Sequence, residues 1–314
     1  MGIDILNKIL NDFNNDGYIE EDYTLDKDFV SIIKESKCPK SSTPYHSKMG
    51  EERATEHTLD FLKSISPEYS KRLEKLLDTY HVDFDYDEDV SKVELVDDSK
   101  FIRINKQKNI EDSYTLTHEA IHEYNMNPKN PTQNWDLITE ALSILAEMLQ
   151  KDYFAKLEEP PRDYKNNESD TLYALYTKAL LLDFEIKLID AHAKTGSINE
   201  YVLSLIIGDD PLYSKLAFEH LEKIITNKHL DFYILQRNVI GGIISTHMYE
   251  RISKNPKLIK EFIELNDWCN EMDFVDTLKY LDLELEDEDR VILSRESIKE
   301  LRREFKKRCK RVSL

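Results

Sequence analysis

Residues 115–125, TLTHEAIHEYN, hold the densest potential chemistry in the chain: His118 and His122 four residues apart, with Glu119 directly after the first. On a helix, residues at that spacing share a face with their Cβ atoms about 5–6 Å apart, so both imidazoles can reach one metal ion. Zinc suits such donors, and Glu119 would stand where a general base takes a proton from a water molecule activated by the ion. The implied chemistry is hydrolysis. Thr115 or Thr117 could cap the helix, and uncharged Ala120 and Ile121 between the two histidines suit a segment buried beneath a cleft. A surface helix with solvated side chains would carry the same five residues, so the reading turns on a third ligand.

Residues 134–150, NWDLITEALSILAEMLQ, predict a second amphipathic helix. Glu140 and Glu147, seven apart with Ser143 between them, lie along one face, while Leu137, Ile138, Leu142, Leu145 and Met148 form an apolar surface. Asn127, Pro128, Asn130 and Pro131 would turn the chain so that this helix returns antiparallel to the first. The residues by themselves leave Glu140 and Glu147 both open as the third ligand.

The pair HEAIH and EALSILAE resembles the active-site helices of the gluzincin zinc metallopeptidases, most of all those of the oligopeptidase F and thimet oligopeptidase group, whose second helix runs Glu-x-x-Ser-x-x-x-Glu. The resemblance implies zinc held by His118, His122 and Glu140, with Glu119 as general base and Glu147 accepting from a ligand histidine. It implies a mainly α fold: a zincin-type, thermolysin-like catalytic core with a small β-hairpin or sheet and helical walls around a cleft. It also implies peptide substrates. Residues 233–252, YILQRNVIGGIISTHMYERI, are similar to the helix that carries tyrosines over the cleft in that group. The chain departs from the pattern at Ile121, where the family has Gly, at Asn125, where it has a further His, and at Gln236 and Asn238, where it has aromatics. Tyr233 first and His247 second are then the candidates to stabilise a tetrahedral oxyanion, with Tyr249 nearby. The resemblance spans roughly residues 95–255.

Length and composition frame these elements. With 314 residues, 40% hydrophobic and 33% charged, and with just 7 glycines, the chain predicts a mostly helical protein with a substantial core. Residues 1–90 read as an N-terminal helical region, 91–255 as the catalytic core and 256–314 as a C-terminal helical region, together one compact unit. A formal net charge of -19 argues against nucleic acid or an anionic membrane as partner. Cys38, Cys269 and Cys309 form no CxxC and suit a reducing compartment. Residues 1–13 read as an amphipathic helix rather than a signal peptide, and the apolar runs are too short to span a bilayer, so the expected location is cytoplasmic.

Other features compete with the metal site for attention. Asp12, Asn14, Asp16 and Gly17 match the start of an EF-hand calcium loop, but Tyr23 stands where the closing bidentate Glu belongs, and a loop between two helices accounts for the same residues. His46, His57 and His81 lack ligand spacing and fall in a stretch that reads as a helical wall. Segments 92–96 and 101–105 predict a hairpin, and the resemblance implies that the second strand could pair with extended substrate. Residues 171–194 read as core. Gly241 and Gly242 inside a helix require a close approach, either by a neighbouring helix or by a substrate backbone. The basic stretch 302–311 reads as a solvated face paired with the acidic segment 282–289. The competing function is a peptidase-derived fold that binds metal and peptide or protein partners with little or no turnover.

Overall fold

The computed structural model describes residues 2–15, 24–36, 45–84, 91–97, 99–126, 133–268 and 273–312. Its centre is a stack of three helices, α5 (Glu111–Asn125), α6 (Gln133–Phe154) and α10 (Phe232–Lys254), with α6 in the middle. Neighbours on both faces explain why α6 buries Leu137, Ile138, Ala141, Leu142, Leu145 and Met148 around most of its circumference. Each fully buried side chain of that size contributes roughly 1.5–3 kcal/mol, so this helix is a principal source of core stability.

Helix α5 begins four residues before Thr115. Its start is fixed by Asp112, whose carboxylate accepts the backbone N–H groups of Gln107 and Lys108 at 2.6 and 2.8 Å, and by Asn109, whose side chain accepts from Glu111 N–H at 2.6 Å. Thr115 and Thr117 therefore lie inside the helix and cap nothing.

The glycine pair answers to helix packing. A Cβ on Gly241 would lie 3.0 Å from Glu140 Cγ and 3.1 Å from the backbone nitrogen of Ala141, and one on Gly242 would lie 2.5 Å from Leu175 Cδ2. Helix α10 is thus wedged against α6 on one side and α7 (Asn166–Thr195) on the other. The close approach that the glycines permit is of neighbouring helices, which is the plainer of the two explanations the sequence offers.

Strands β1 (Val82–Asp83), β2 (Lys92–Val96) and β3 (Ser99–Arg103) form a sheet in the order β1-β3-β2, and it packs on α5. The predicted hairpin is present, with Lys92 opposite Arg103 and Val96 opposite Ser99, but β3 starts two residues earlier than expected. β3 also pairs parallel to β1 through Val82 and Asp83. Being the central strand, it has no backbone edge free for extended substrate over that length, contrary to the expectation placed on it.

The remaining helices wall the stack. α3 (Glu51–Ile65) lies on α5 and on α4 (Pro67–Asp78), and the Thr58 hydroxyl joins α3 to α5 by donating to the Ser113 carbonyl at 3.0 Å. α1 (Gly2–Asn15) and α2 (Thr24–Lys34) pack on α7, while α8 (Glu200–Ile207) and α9 (Pro211–Asn227) follow α7 as the opposite wall. After α10 come α11 (Ile259–Trp268), α12 (Phe274–Tyr280), the small hairpin β4 (Leu285–Asp287) and β5 (Ile292–Leu293), and α13 (Arg295–Val312), which covers α10 and α2. One cluster of buried apolar side chains runs from Leu6 to Cys309.

The basic face of α13 pairs elsewhere than expected. Lys307 and Arg311 contact Glu250 at 2.5 and 2.6 Å, and Arg302 and Lys306 contact Glu35 at 3.3 and 3.8 Å. In the acidic segment, Asp282 pairs with Arg251 and Glu288 with Lys279. Most of the calcium-like loop after Asn14, and the turn at 127–132, lie outside the described residues. Among the described residues, no helix is long and apolar enough to cross a membrane.

Candidate metal centre

One turn of α5 separates His118 from His122 and brings their Nε2 atoms to 3.0 Å. Packing of α6 then sets Glu140 Oε2 at 3.4 Å from His122 Nε2 and 3.9 Å from His118 Nε2. The potential ligand atoms of the three residues all lie within 4.8 Å of one another. Glu140 is 5% exposed, and its carboxyl is held well below the ordinary carboxylate range: burial works the other way, and the His122 contact with the His118, His122 and Arg237 charges overcomes it. The absence of a Cβ at Gly241 is what lets α10 press on the Glu140 stem and fix its position.

The His118 ring is anchored from behind. Its Nδ1 lies 2.6 Å from Glu147 Oε1, and Asn167 Nδ2 donates to the other carboxylate oxygen of Glu147 at 3.0 Å. That contact places the ring proton on Nδ1 and leaves the Nε2 lone pair facing His122 and Glu140 when the ring is neutral. Burial opposes a protonated ring, yet the Glu147 bond and the Glu140, Glu147 and Glu119 charges push the His118 pKa up to about 9. Glu119 is 7% exposed, and burial raises its carboxyl above the ordinary range against the pull of both histidines. A carboxylate raised towards neutrality is a stronger base than a solvated one. Two imidazole nitrogens and one carboxylate oxygen, closed behind and open in front, are a donor set that fits a catalytic zinc with a position left for a reactant.

The cluster sits in the wall of a cavity of about 750 Å³. Ser91, Lys92 and Val93 of the β2 edge border it, Leu216 and His220 of α9 face it, and α7 contributes Lys178 and Leu181. α10 contributes Ile234, Leu235, Arg237 and Asn238. The two oxyanion candidates are not in this lining. Tyr233 packs its ring against Phe232 and Phe13, with centroids 5.6 and 6.3 Å away. His247 is 3% exposed, with Nδ1 at 2.7 Å from Glu304 and Nε2 at 2.9 Å from the Leu281 carbonyl, so both ring nitrogens are engaged with the C-terminal region. Tyr249 donates to Asp152 at 2.8 Å and is likewise outside the lining. Neither side chain lines the cavity: His247 lies on another face of α10, against Glu304, and Tyr233 lies two turns before Gly241, against Phe13.

Sequence reasoning passed over Lys178 and Arg237, the cations that do face the cluster. Arg237 Nε is 3.8 Å from Glu140 Oε2, and Lys178 donates to Asn238 Oδ1. The signal was a lysine between the apolar residues of 172–182 and an arginine between the two positions, 236 and 238, where the family has aromatics. His57 and His81, by contrast, stack on Phe154 and Phe101 and stay clear of the cavity.

With that geometry in place, comparison by fold gives two solved peptidases. PZ peptidase A with an inhibitor superposes at a TM-score of 0.58, with 12% identity over 96% of this chain and 58% of that one. A presumptive peptidase from Chlamydophila abortus superposes at 0.56, with 16% identity over 98% of this chain and 55% of that one. The fold is mainly α and zincin-like, as in these peptidases. The chain spans a little over half the length of each, and at such identities the likeness is one of fold. No protein-family model and no curated protein matches the sequence.

Proposed function

We propose that the protein is a zinc-dependent peptidase. The observation that carries this reading is the convergence of His118, His122 and Glu140 within 4.8 Å, with Glu119 beside them in the same cavity lining. His118, His122 and Glu140 would hold the ion, which supplies a Lewis acid that polarises the scissile carbonyl and makes water nucleophilic at neutral pH. Glu119 takes the proton of the attacking water and returns it to the leaving amine. Its burial keeps that carboxylate poorly solvated and basic. Glu147, held by Asn167, keeps His118 oriented with Nε2 forward. A cavity of about 750 Å³ bounded by β2 and α10 has room for a short peptide, and the peptidase fold of the two structural neighbours supports that substrate class.

The competing reading, a peptidase-derived binder with little turnover, draws on the lack of an α10 tyrosine in the cavity lining. Metal content of wild type, His122→Ala and Glu140→Ala, followed by turnover of a peptide library with wild type and Glu119→Gln, separates the two. Near-stoichiometric zinc lost in both ligand variants, with cleavage abolished in a zinc-replete Glu119→Gln, supports the enzyme. Zinc without cleavage in the wild type supports the binder. No zinc uptake after reconstitution overturns both.

A further inference from the structure

Four cations line the cavity in a chain of net charge -19, and two of them already have their own carboxylates. Lys223 is 2.7 Å from Asp231, and Lys92 is 3.5 Å from Glu94. Lys178 and Arg237 differ. Arg237 Nε is buried with no hydrogen-bond partner among the described residues, and the carboxylate next to the guanidinium is that of Glu140, 3.8 Å away. Lys178 reaches the amide oxygen of Asn238, which carries no charge. Burial pushes the Lys178 ammonium below its ordinary range, and the neighbouring Arg237 charge adds to that while Glu140 opposes it.

Glu140 is the carboxylate the two cations share, with added attraction from Glu119 on Arg237 and from Glu147 on Lys178, and the partly exposed Arg237 side chain is open to the cavity, so an entering anion can be received there. Once Glu140 serves a metal ion, its charge is no longer available to either of them. The local balance then has an unmet demand for negative charge, a few ångströms from the reacting centre and facing the cavity. A carboxylate meets that demand best, because a guanidinium and an ammonium side by side can donate several charge-assisted hydrogen bonds to its two oxygens.

We propose that Arg237 and Lys178 form a carboxylate-receiving subsite beside the His118–His122–Glu140 cluster, so that substrates are peptides presenting a carboxylate there, either at the C-terminus or on an Asp or Glu side chain. This rests on the peptidase reading. It makes the two residues determinants of specificity: they hold the substrate, and the proton transfers stay with Glu119.

Four versions of one short peptide test it: free acid and C-terminal amide, each with an internal Asp or its Asn counterpart. Binding is measured by calorimetry on zinc-loaded Glu119→Gln protein, and kcat and KM on the wild type. At least about tenfold tighter binding of a carboxylate-bearing peptide over its neutral counterpart is expected, appearing in KM more than in kcat. Free acid over amide identifies the C-terminus as the source, and Asp over Asn the side chain. In Arg237→Gln and Lys178→Met, checked for unchanged zinc content and melting temperature, the preference should fall below about threefold, and Arg237→Lys should restore part of it. Equal binding of all four peptides to Glu119→Gln protein overturns the proposal. So does a preference that survives in the Arg237→Gln/Lys178→Met double variant, since the carboxylate would then be held elsewhere. Hydrolysis without any acid preference sinks the subsite and leaves the peptidase reading standing; an acid preference in binding without hydrolysis of any peptide does the reverse.

Discussion

Gly241→Ala tests whether helix packing sets the metal centre. The new methyl would lie 3.0 Å from Glu140 Cγ, 3.2 Å from Glu140 Cβ and 3.1 Å from the Ala141 nitrogen. Two of these atoms belong to the stem of a proposed ligand and one to backbone, so none can swing aside freely, and α10 and α6 must part or Glu140 must move by a few tenths of an ångström. Overpacking of this kind costs about 1–3 kcal/mol, offset by the roughly 1 kcal/mol that Ala gains over Gly in a helix. The net loss is about 0–2 kcal/mol, or a fall of at most about 3 °C in melting temperature for 314 residues. The effect on the site should be larger in proportion. A displaced ligand stem weakens metal binding by about 10–100-fold, the range seen when the supports of a ligand are disturbed. Gly242→Ala is the control: its methyl meets Leu175 side-chain carbons, away from the ligands, so it should cost stability on the same scale and leave metal affinity within about threefold. The assay is zinc competition against a chromophoric chelator beside thermal denaturation of the metal-free proteins. Equal zinc affinity in Gly241→Ala and wild type would refute the claim that the α6–α10 contact positions Glu140.

Three further outcomes are expected. Asn167→Leu removes the donor that holds Glu147 and should lower zinc affinity about tenfold or more at nearly unchanged helicity, measured by the same competition and by circular dichroism; unchanged affinity would show that Glu147 needs no such support. In the metal-free protein the His118 pKa is raised from 6.5 to about 9, so its charged form stabilises the fold fully below about pH 6.5, and that contribution is lost as the pH rises through about 9. Zinc must displace the same proton, so apparent affinity should fall about tenfold per pH unit on going down from pH 9, and Glu147→Gln should move that dependence to lower pH; a flat profile between pH 7 and 9 contradicts the assignment. Arg308 is 1% exposed, donates to the Thr246 hydroxyl at 2.8 Å and faces Glu168 at 3.5 Å, so Arg308→Leu should destabilise by about 3 kcal/mol in urea denaturation, because Glu168 is left buried with Lys151 as its remaining partner. A loss below about 1 kcal/mol would mean that this pair holds nothing together.

The legible part of the molecule was its local part. The helical spacing of His118 and His122, the Glu140–Glu147 face and the alternation of the hairpin strands are short-range patterns, and they depend on periodicities of 3.6 and 2 that any segment of that sequence would follow. Helix starts were less legible: Asp112 and Asn109 tie the loop to the start of α5 through a conformation that spacing does not reveal, and Thr115 and Thr117, good capping residues by type, fall inside the helix, where Thr117 is buried.

Taken by itself, the sequence determined which residues share a helical face, and therefore that His118, His122 and a downstream glutamate could meet at one ion. Tertiary structure decided which other groups join them. Gly241 must face Glu140 because the helices touch there, and at about 100° per residue this points Arg237 and Asn238 into the cavity. The same rotation sets His247 about 120° away, against Glu304, and carries Tyr233 two turns up the helix to Phe13. The addition of β1 likewise made β3 a central strand. Neither outcome is written in any short stretch of the chain, since each is a contact between segments many residues apart, fixed by how closely two surfaces can approach.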